Sequence, residues 1–524
     1  MPADPQTPAA DADRLDALAR QFGLEGITAV DEAMLAPDLA ADLPVEWARA
    51  QAMLPIRRNG RPALLLCDPT ALAAQKHLEL LLGRELTPVL APRAVILDAI
   101  ERCYFSRPDT AREFLQDLGE SAPPGGQAAP RSDDLLLAAE HAPVTQLINL
   151  ILLEAIKANA SDIHVEPFEA RLRIRFRIDG VLYEQASPPK HLEPALVSRL
   201  KVMARMDIAE KRLPQDGVAR VRIGEREIDI RASTLPVAEG ERVVLRLLNR
   251  NTAILPLSGL GLSEATLGAW NRLIEEPNGI LVVSGPTGSG KTTTLYAALQ
   301  RLDKSRANIL TIEDPIEYQL ADIGQMQVKP KIGLTFAGGL RHILRQDPDV
   351  ILVGEIRDLE TAEIAVRASL TGHLVFSTLH TNDAPNAVVR LSDMGVEPYL
   401  VAACLRAVLA QRLVRRLCPA CRRPAAPDAA LFRSAGRPVP AGVWTPAGCP
   451  ACREGFKGRL GLFELMVVNA PLAEAIRAER PNPGALRDLA VRNGMATLLD
   501  DGLDKLAGGL TSPSELWRAI GRPE

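Results

Sequence analysis

Gly285-Pro286-Thr287-Gly288-Ser289-Gly290-Lys291-Thr292 carries the spacing GxxxxGK[ST] in full. That spacing suits the holding of a polyphosphate. Glycines let backbone N–H groups converge on phosphate oxygens, and a helix opening there turns its positive dipole end to the anion. Lys291 can place its charge on the β- and γ-phosphates, and the Thr292 hydroxyl can ligate Mg²⁺, with Thr293 beside it. The competing explanation is a glycine-rich turn that fits by chance. Against it stand the apolar run Ile280–Ser284 just before the loop and the helical pattern Thr292–Leu302 just after. Nucleotide binding, with ATP as ligand, is the expectation.

Hydrolysis needs more than binding, and two apolar runs end in acids. Thr311-Ile312-Glu313-Asp314-Pro315 closes one, and Val350-Ile351-Leu352-Val353-Gly354-Glu355 closes another. In open α/β sheets ligands sit at the carboxyl ends of strands, so both acids should face the phosphates. Glu313 is the better candidate to orient or deprotonate the attacking water, and Glu355 to support Mg²⁺ through its water shell. The two roles are exchangeable, and either acid can instead cap a helix or turn. His373 and His380 flank a further run, Leu374–Ser377. Residues seven apart on one strand point to opposite faces, so both reach one pocket only if the strand ends before His380. One of them can sense the γ-phosphate; a histidine satisfied in the core is the default alternative.

Cys418-Pro-Ala-Cys421 and Cys449-Pro-Ala-Cys452 form CxxC-x27-CxxC. Four thiolates in two such pairs suit a closed, structural Zn²⁺ site. A redox CxxC or two accidental pairs are the alternatives. The nearby Arg412, Arg415, Arg416, Arg422 and Arg423 invite a nucleic-acid reading, which the scarcity of aromatics for base stacking weakens.

These residues need a scaffold of strands alternating with helices. Ile280–Ser284, Ile309–Ile312, Val350–Val353 and Leu374–Ser377 lack strict alternation, as befits a mostly parallel sheet buried on both faces. Upstream, Leu172, Ile174, Phe176 and Ile178 alternate with arginines 171, 173, 175 and 177 before Asp179-Gly180, predicting a hairpin with one basic face. Two further strand patterns end in Arg231 and Arg246. A non-periodic Pro/Gly/Ala stretch from Ser121 to Pro130 reads as a linker. The expected organisation is a docking module over 1–120, a linker over 121–134 and an α+β module over 135–250. An ATPase module over 251–415, a tetracysteine element over 416–455 and a helical region over 456–524 follow. The chain has 524 residues, 47% hydrophobic and 24% charged, which excludes wholesale disorder. A net charge of −4 disfavours a nucleic-acid partner. Neither a signal peptide at Met1-Pro2-Ala3-Asp4-Pro5 nor a bilayer-length apolar run is visible, so a cytoplasmic location is expected.

Four stretches together resemble the secretion-type traffic ATPases: Gly285–Thr292, Thr311–Tyr318, Gln346–Asp358 and Thr371–Asn382. In order they look like Walker A, an aspartate box, an atypical Walker B and a histidine box. Ser161-Asp-Ile-His-Val-Glu-Pro167 adds to the likeness. Type II secretion ATPases of the general secretory pathway are the nearest match, with type IV pilus assembly ATPases next. The resemblance implies a homohexamer whose RecA-like P-loop core follows a PAS-like α+β domain. It implies that Arg231, Arg246, Arg341 and Arg345 reach the nucleotide, some through domain movement or from a neighbouring subunit. It also implies a bitopic inner-membrane partner for the N-terminal module, a polytopic one for the core, and peripheral attachment to the inner membrane. The family pattern Gln-Asp-Gly-Arg is here Gln215-Asp216-Gly217-Val218, with Arg220 two residues on. Two other classes compete: a RecA-like nucleic-acid motor with a zinc ribbon, and a non-catalytic nucleotide-gated adaptor. The first predicts hydrolysis stimulated by DNA or RNA; intact Lys291, Glu313 and Glu355 argue against the second.

Overall fold

The computed structural model describes residues 18–40, 43, 45–105, 111, 115, 143–223, 226–249, 255–478 and 480–521. The linker expected over 121–134 lies outside the described residues. The chain divides into two compact units, Met1–Asn251 and Thr252–Glu524.

In the first unit, β1 (Glu25–Gly26), β2 (Met53–Arg58), β3 (Arg61–Leu66) and β4 (Thr87–Leu90) form a small sheet ordered β1-β4-β3-β2. Its core gathers Leu54, Ile56, Leu64, Leu66 and Val89 with Leu78 and Ile96 from two helices. A second, antiparallel sheet contains β5 (Asp162–Pro167), β6 (Leu172–Ile178), β7 (Val181–Ala186), β8 (Gln215–Ile223), β9 (Arg226–Val237) and β10 (Gly240–Asn249). Its order is β7-β6-β5-β10-β9-β8. The β6–β7 turn has Asp179 at φ 50° and Gly180 at φ 87°, the two positive values that a type I′ hairpin requires. Leu172, Ile174, Phe176 and Ile178 point into a core shared with the helices Pro143–Lys157 and Glu193–Met203.

Two expectations need correction here. The strands carrying Arg231 and Arg246 do not end there: both residues sit mid-strand and face each other directly in the β9–β10 register. The basic face of the hairpin is also neutralised, because β5 lays Glu166 beside Arg173 and Arg175, and Asp162 beside Arg177.

The second unit is built on a seven-stranded sheet. Its strands are β11 (Gly279–Ser284), β12 (Ile309–Glu313), β13 (Gly324–Gln327), β14 (Val350–Val353), β15 (Leu374–Leu379), β16 (Leu405–Leu417) and β19 (Phe456–Val467). A separate ribbon pairs β17 (Arg423–Ala425) with β18 (Val443–Thr445). The large sheet runs β13-β12-β14-β15-β11-β16-β19, parallel except for the last pair. Alternate residues feed two cores: Ile280 and Val282 pack on one face, Leu281 and Val283 on the other. Burial of both faces removes the polar alternation that would otherwise mark a strand. A helical region beginning at 456 is therefore wrong for its first residues. Phe456–Val467 is an edge strand, and Gly458, Gly461 and the charges at 457, 459 and 464 mask its periodicity. Among the described residues no helix is long and apolar enough to cross a membrane.

Candidate active site

The loop after β11 has the shape its glycines permit. Gly285, Gly288 and Gly290 have φ of 150°, 78° and 87°. A Cβ at Gly285 would lie 2.4 Å from the Gln411 carbonyl oxygen and 2.6 Å from Ser289 Oγ; one at Gly290 would lie 2.9 Å from Gln411 Nε2. Pro286, Thr287 and Gly288 are exposed at the mouth, Ser289 is buried, and Thr292 and Thr293 follow at the start of the helix Lys291–Arg301. Among the described residues Ser289 Oγ is a buried hydroxyl with no hydrogen-bond partner. The glycine-lined loop and this unpaired hydroxyl fit a phosphate group, which would supply the missing acceptor. Lys291 Nζ donates to the Gly285 and Pro286 carbonyl oxygens at 2.7 and 3.1 Å, so its charge lies at this loop. Burial pushes the Lys291 ammonium down to about 8, with Glu355 opposing that shift and Arg412 adding to it.

Glu313 ends β12 at 4% exposure. Its Oε2 accepts from the Tyr296 hydroxyl, and its Oε1 from Thr311 Oγ1 at 2.6 Å and Gln325 Nε2 at 3.0 Å. Glu355 follows Gly354 past the end of β14. A Cβ at Gly354 would lie 3.2 Å from the Ile312 carbonyl oxygen, so glycine lets the two acidic strand ends approach. Glu355 pairs with Arg357 and lies 3.6 Å from His380 Nε2. The chain turns away at Asp358, whose side chain caps the helix Leu359–Leu370 by accepting from Thr361 N–H. Burial, then the charge of Lys291, lowers the His380 pKa, so its imidazole is mainly neutral at pH 7.

The histidines separate. β15 ends at Leu379, which puts His380 at the carboxyl edge beside Glu355. His373 precedes β15, and its Nδ1 lies 2.8 Å from the Ala368 carbonyl oxygen. It therefore sits at the opposite end of the sheet, a strand of six residues or roughly 20 Å away, and is removed from the site. Ser284 and Thr381 are hydrogen-bonded, and Thr378 Oγ1 donates to the Gly354 carbonyl oxygen at 2.7 Å, so the histidine box ties the P-loop strand to the Glu355 turn.

Arg341, on the helix Phe336–Ile343, pairs with Glu360 at 2.7 Å. Arg345 donates to the Arg341 carbonyl oxygen at 2.8 Å and lies against His342. Neither bonds to the loop or to the two glutamates. In the first unit, Arg246 Nε reaches Asp162 at 3.1 Å, and Arg231 shares its cross-strand row. Val218 faces Arg231 in that same row, while Arg220, two residues on, pairs with Asp229 at 3.1 Å.

Sequence reasoning missed Tyr296, Thr311 and Gln325 around Glu313, and Arg357 beside Glu355. It also missed Gln411, which accepts from Thr294 Oγ1 at 2.7 Å below the loop. Arg412, noted from sequence for its proximity to the cysteines, instead donates to Asn382 in the histidine box at 2.9 Å.

Cys418, Cys421, Cys449 and Cys452 place their sulfurs within 4.8 Å of one another. The 418–449, 421–452 and 449–452 separations are 3.9, 3.6 and 3.5 Å. Tetrahedral Zn–S bonds of about 2.3 Å require S···S edges of roughly 3.8 Å, so the cluster fits zinc.

A phosphate loop and two acidic strand ends on one edge of a largely parallel sheet define a P-loop nucleotide hydrolase of RecA-like build. The family model described as "Type II/IV secretion system protein" matches residues 137–518, and that of the "MshEN domain" matches 22–109. The chain is 48% identical to "Type II secretion system protein E" of Dickeya dadantii over 497 residues, 93% of this chain and 99% of that protein. It is 52% identical to "Type II secretion system ATPase E" of Vibrio cholerae over 415 residues, 78% of this chain and 82% of that protein. It is 44% identical to "Type IV pilus assembly ATPase PilB" of Myxococcus xanthus over 510 residues, covering 96% and 90%. Among solved structures, the Legionella pneumophila ATPase DotB superposes with a TM-score of 0.53 at 22% identity, over 71% of this chain and 94% of that one, a likeness of fold. The chain belongs to the Type II/IV secretion system protein family, and it is an ATPase.

Proposed function

We propose that this ATPase powers type II protein secretion by hydrolysing ATP held at residues 285–293. One observation carries the reading: the loop, Glu313 and Glu355 converge on one sheet edge in a chain that matches type II secretion proteins along nearly their full length. Thr292 and Glu355 would hold Mg²⁺, which neutralises the β- and γ-phosphates. Lys291 binds the same phosphates, and Glu313 orients the attacking water and receives its proton. His380 reports phosphate occupancy to Glu355. Charge developing on the transferred phosphoryl group needs a guanidinium fork. Arg231, Arg246, Arg341 and Arg345 supply it on domain movement or from a neighbouring subunit of a hexamer; Arg341, held by Glu360, and Arg345, on the Arg341 carbonyl, are both engaged away from the loop of their own unit. The four cysteines hold a structural Zn²⁺. The N-terminal module docks a bitopic inner-membrane protein and the core works against a polytopic one, which keeps the enzyme cytoplasmic and peripherally attached.

A second reading, pilus assembly, rests on the 44% identity with the Myxococcus protein. Chromosomal Lys291→Ala separates the two. Loss of extracellular enzymes with surface pili intact is expected; loss of pili with secretion intact moves the chain to the pilus branch.

A further inference from the structure

Tyr296 is fully buried on the helix that begins at the phosphate loop, five residues after Lys291 or roughly 7.5 Å along the axis. Its hydroxyl donates to Glu313 Oε2 and receives the Glu317 N–H at 3.4 Å. The ring meets Tyr318 edge-on, with centroids 6.2 Å apart. Around Glu313 the donors are unevenly shared. Oε1 accepts two hydrogen bonds, from Thr311 and Gln325, which use both of its lone pairs; Oε2 accepts one, from Tyr296. No cation stands in ion-pair range of this carboxyl among the described residues, although it is 4% exposed. A buried acid that only completes a hydrogen-bond network is better served as an amide, because the carboxylate adds a desolvation cost and gains no partner.

We propose that Tyr296 is a positioning residue for hydrolysis. Its hydroxyl occupies one lone pair of Glu313 Oε2 and leaves the other aimed at the attacking water. In that step the water oxygen bonds to the γ-phosphorus while the bond to the β–γ bridging oxygen breaks. ADP leaves with that electron pair, and the water proton passes to Oε2. Because Tyr296 and Lys291 lie on one helix, the phosphate-holding charge and the proton acceptor are set by the same rigid element. The proposal rests on the assignment of Glu313 to the water.

The test is a double-mutant cycle on the full-length protein, read as ATP turnover with KM, fluorescent-nucleotide binding and melting temperature. Tyr296→Phe keeps the ring and removes only the donor. It should lower kcat about tenfold with KM and binding unchanged, and cost nothing further in a Glu313→Gln background. Thr311→Val, which strips one donor from Oε1, should lower kcat less than about threefold, and serves if Tyr296→Phe melts early. Wild-type kcat in Tyr296→Phe, or an equal loss with and without Glu313→Gln, overturns the proposal while leaving Glu313 in place. A Thr311→Val loss as large as that of Tyr296→Phe overturns the special role of Oε2. Wild-type turnover in Glu313→Gln overturns the assignment of Glu313 and this proposal together.

Discussion

Glu166 in the first unit and Glu313 in the second are each 4% exposed, yet they are held in opposite ways. Glu166 lies among guanidinium groups: Arg173 at 3.1 Å, Arg175 at 2.7 Å and Arg242 at 2.9 Å. Burial alone would push its carboxyl up, but the hydrogen bond and charge of Arg175, with the charges of Arg242 and Arg173, hold it below the usual range. Among the described residues Glu313 has only hydroxyl and amide donors. The first acid is compensated by its own sheet, so its charge serves the fold. Among the described residues the second has no counter-charge, and it ends β12 on the carboxyl edge of the sheet that also carries the phosphate loop, so its charge is available to a reaction.

The widest gap between the two should appear on Glu313→Gln. The amide keeps the size and an acceptor oxygen, so stability should change by less than about 1 kcal/mol. Turnover should fall about 10²- to 10⁴-fold, the usual worth of a positioned base. Glu166→Gln should do the reverse. It strips three arginines of their common partner and should cost about 1–2 kcal/mol, less than a fully buried pair because those arginines are a quarter or more exposed. ATP turnover in the second unit should change only a few-fold, as seen by paired melting and phosphate-release assays. Acid sharpens this contrast. A carboxyl lowered in the folded state contributes stability that is present at neutral pH and fades as pH falls through its folded value. The acid limb of the melting curve should therefore flatten in Glu166→Gln.

The smallest effect concerns the cation that faces the acidic edge. Lys291 stands near 8 without nucleotide, so it loses charge as pH rises through that value. Fluorescent-ATP affinity should weaken by a few-fold between pH 7 and 9, with proton uptake on binding in the upper half of that range. Affinity that is flat across the range would remove Lys291 from the phosphates.

The contrast between the two glutamates also marks how far the sequence could be read. The loop 285–292 is local, its spacing is its chemistry, and the flanking apolar runs return as β11, β12, β14 and β15. The acids at 313 and 355 were found because strand ends are visible as the last residues of apolar runs. Their surroundings were not visible, because Tyr296 and Gln325 reach Glu313 from another helix and another strand, and no periodicity encodes which helix covers which strand. Which of His373 and His380 reaches the acids was not legible for a related reason: a seven-residue spacing does not say where the strand begins and ends. Phe456–Val467 hid as a strand because glycine and charge interrupt its pattern, while its partner β16 lies across the 38 residues 418–455. Glu166 drew notice only as part of a motif; its arginines are cross-strand neighbours whose register decides the pairing.

The most direct test is to measure ATP turnover and melting of Glu313→Gln and Glu166→Gln side by side, with nucleotide binding as control. The account predicts a crossed result: Glu313→Gln binds ATP and melts like wild type but turns over at least about 100-fold more slowly, whereas Glu166→Gln melts early and still hydrolyses. Wild-type turnover in Glu313→Gln, or early melting there with catalysis retained, would contradict it.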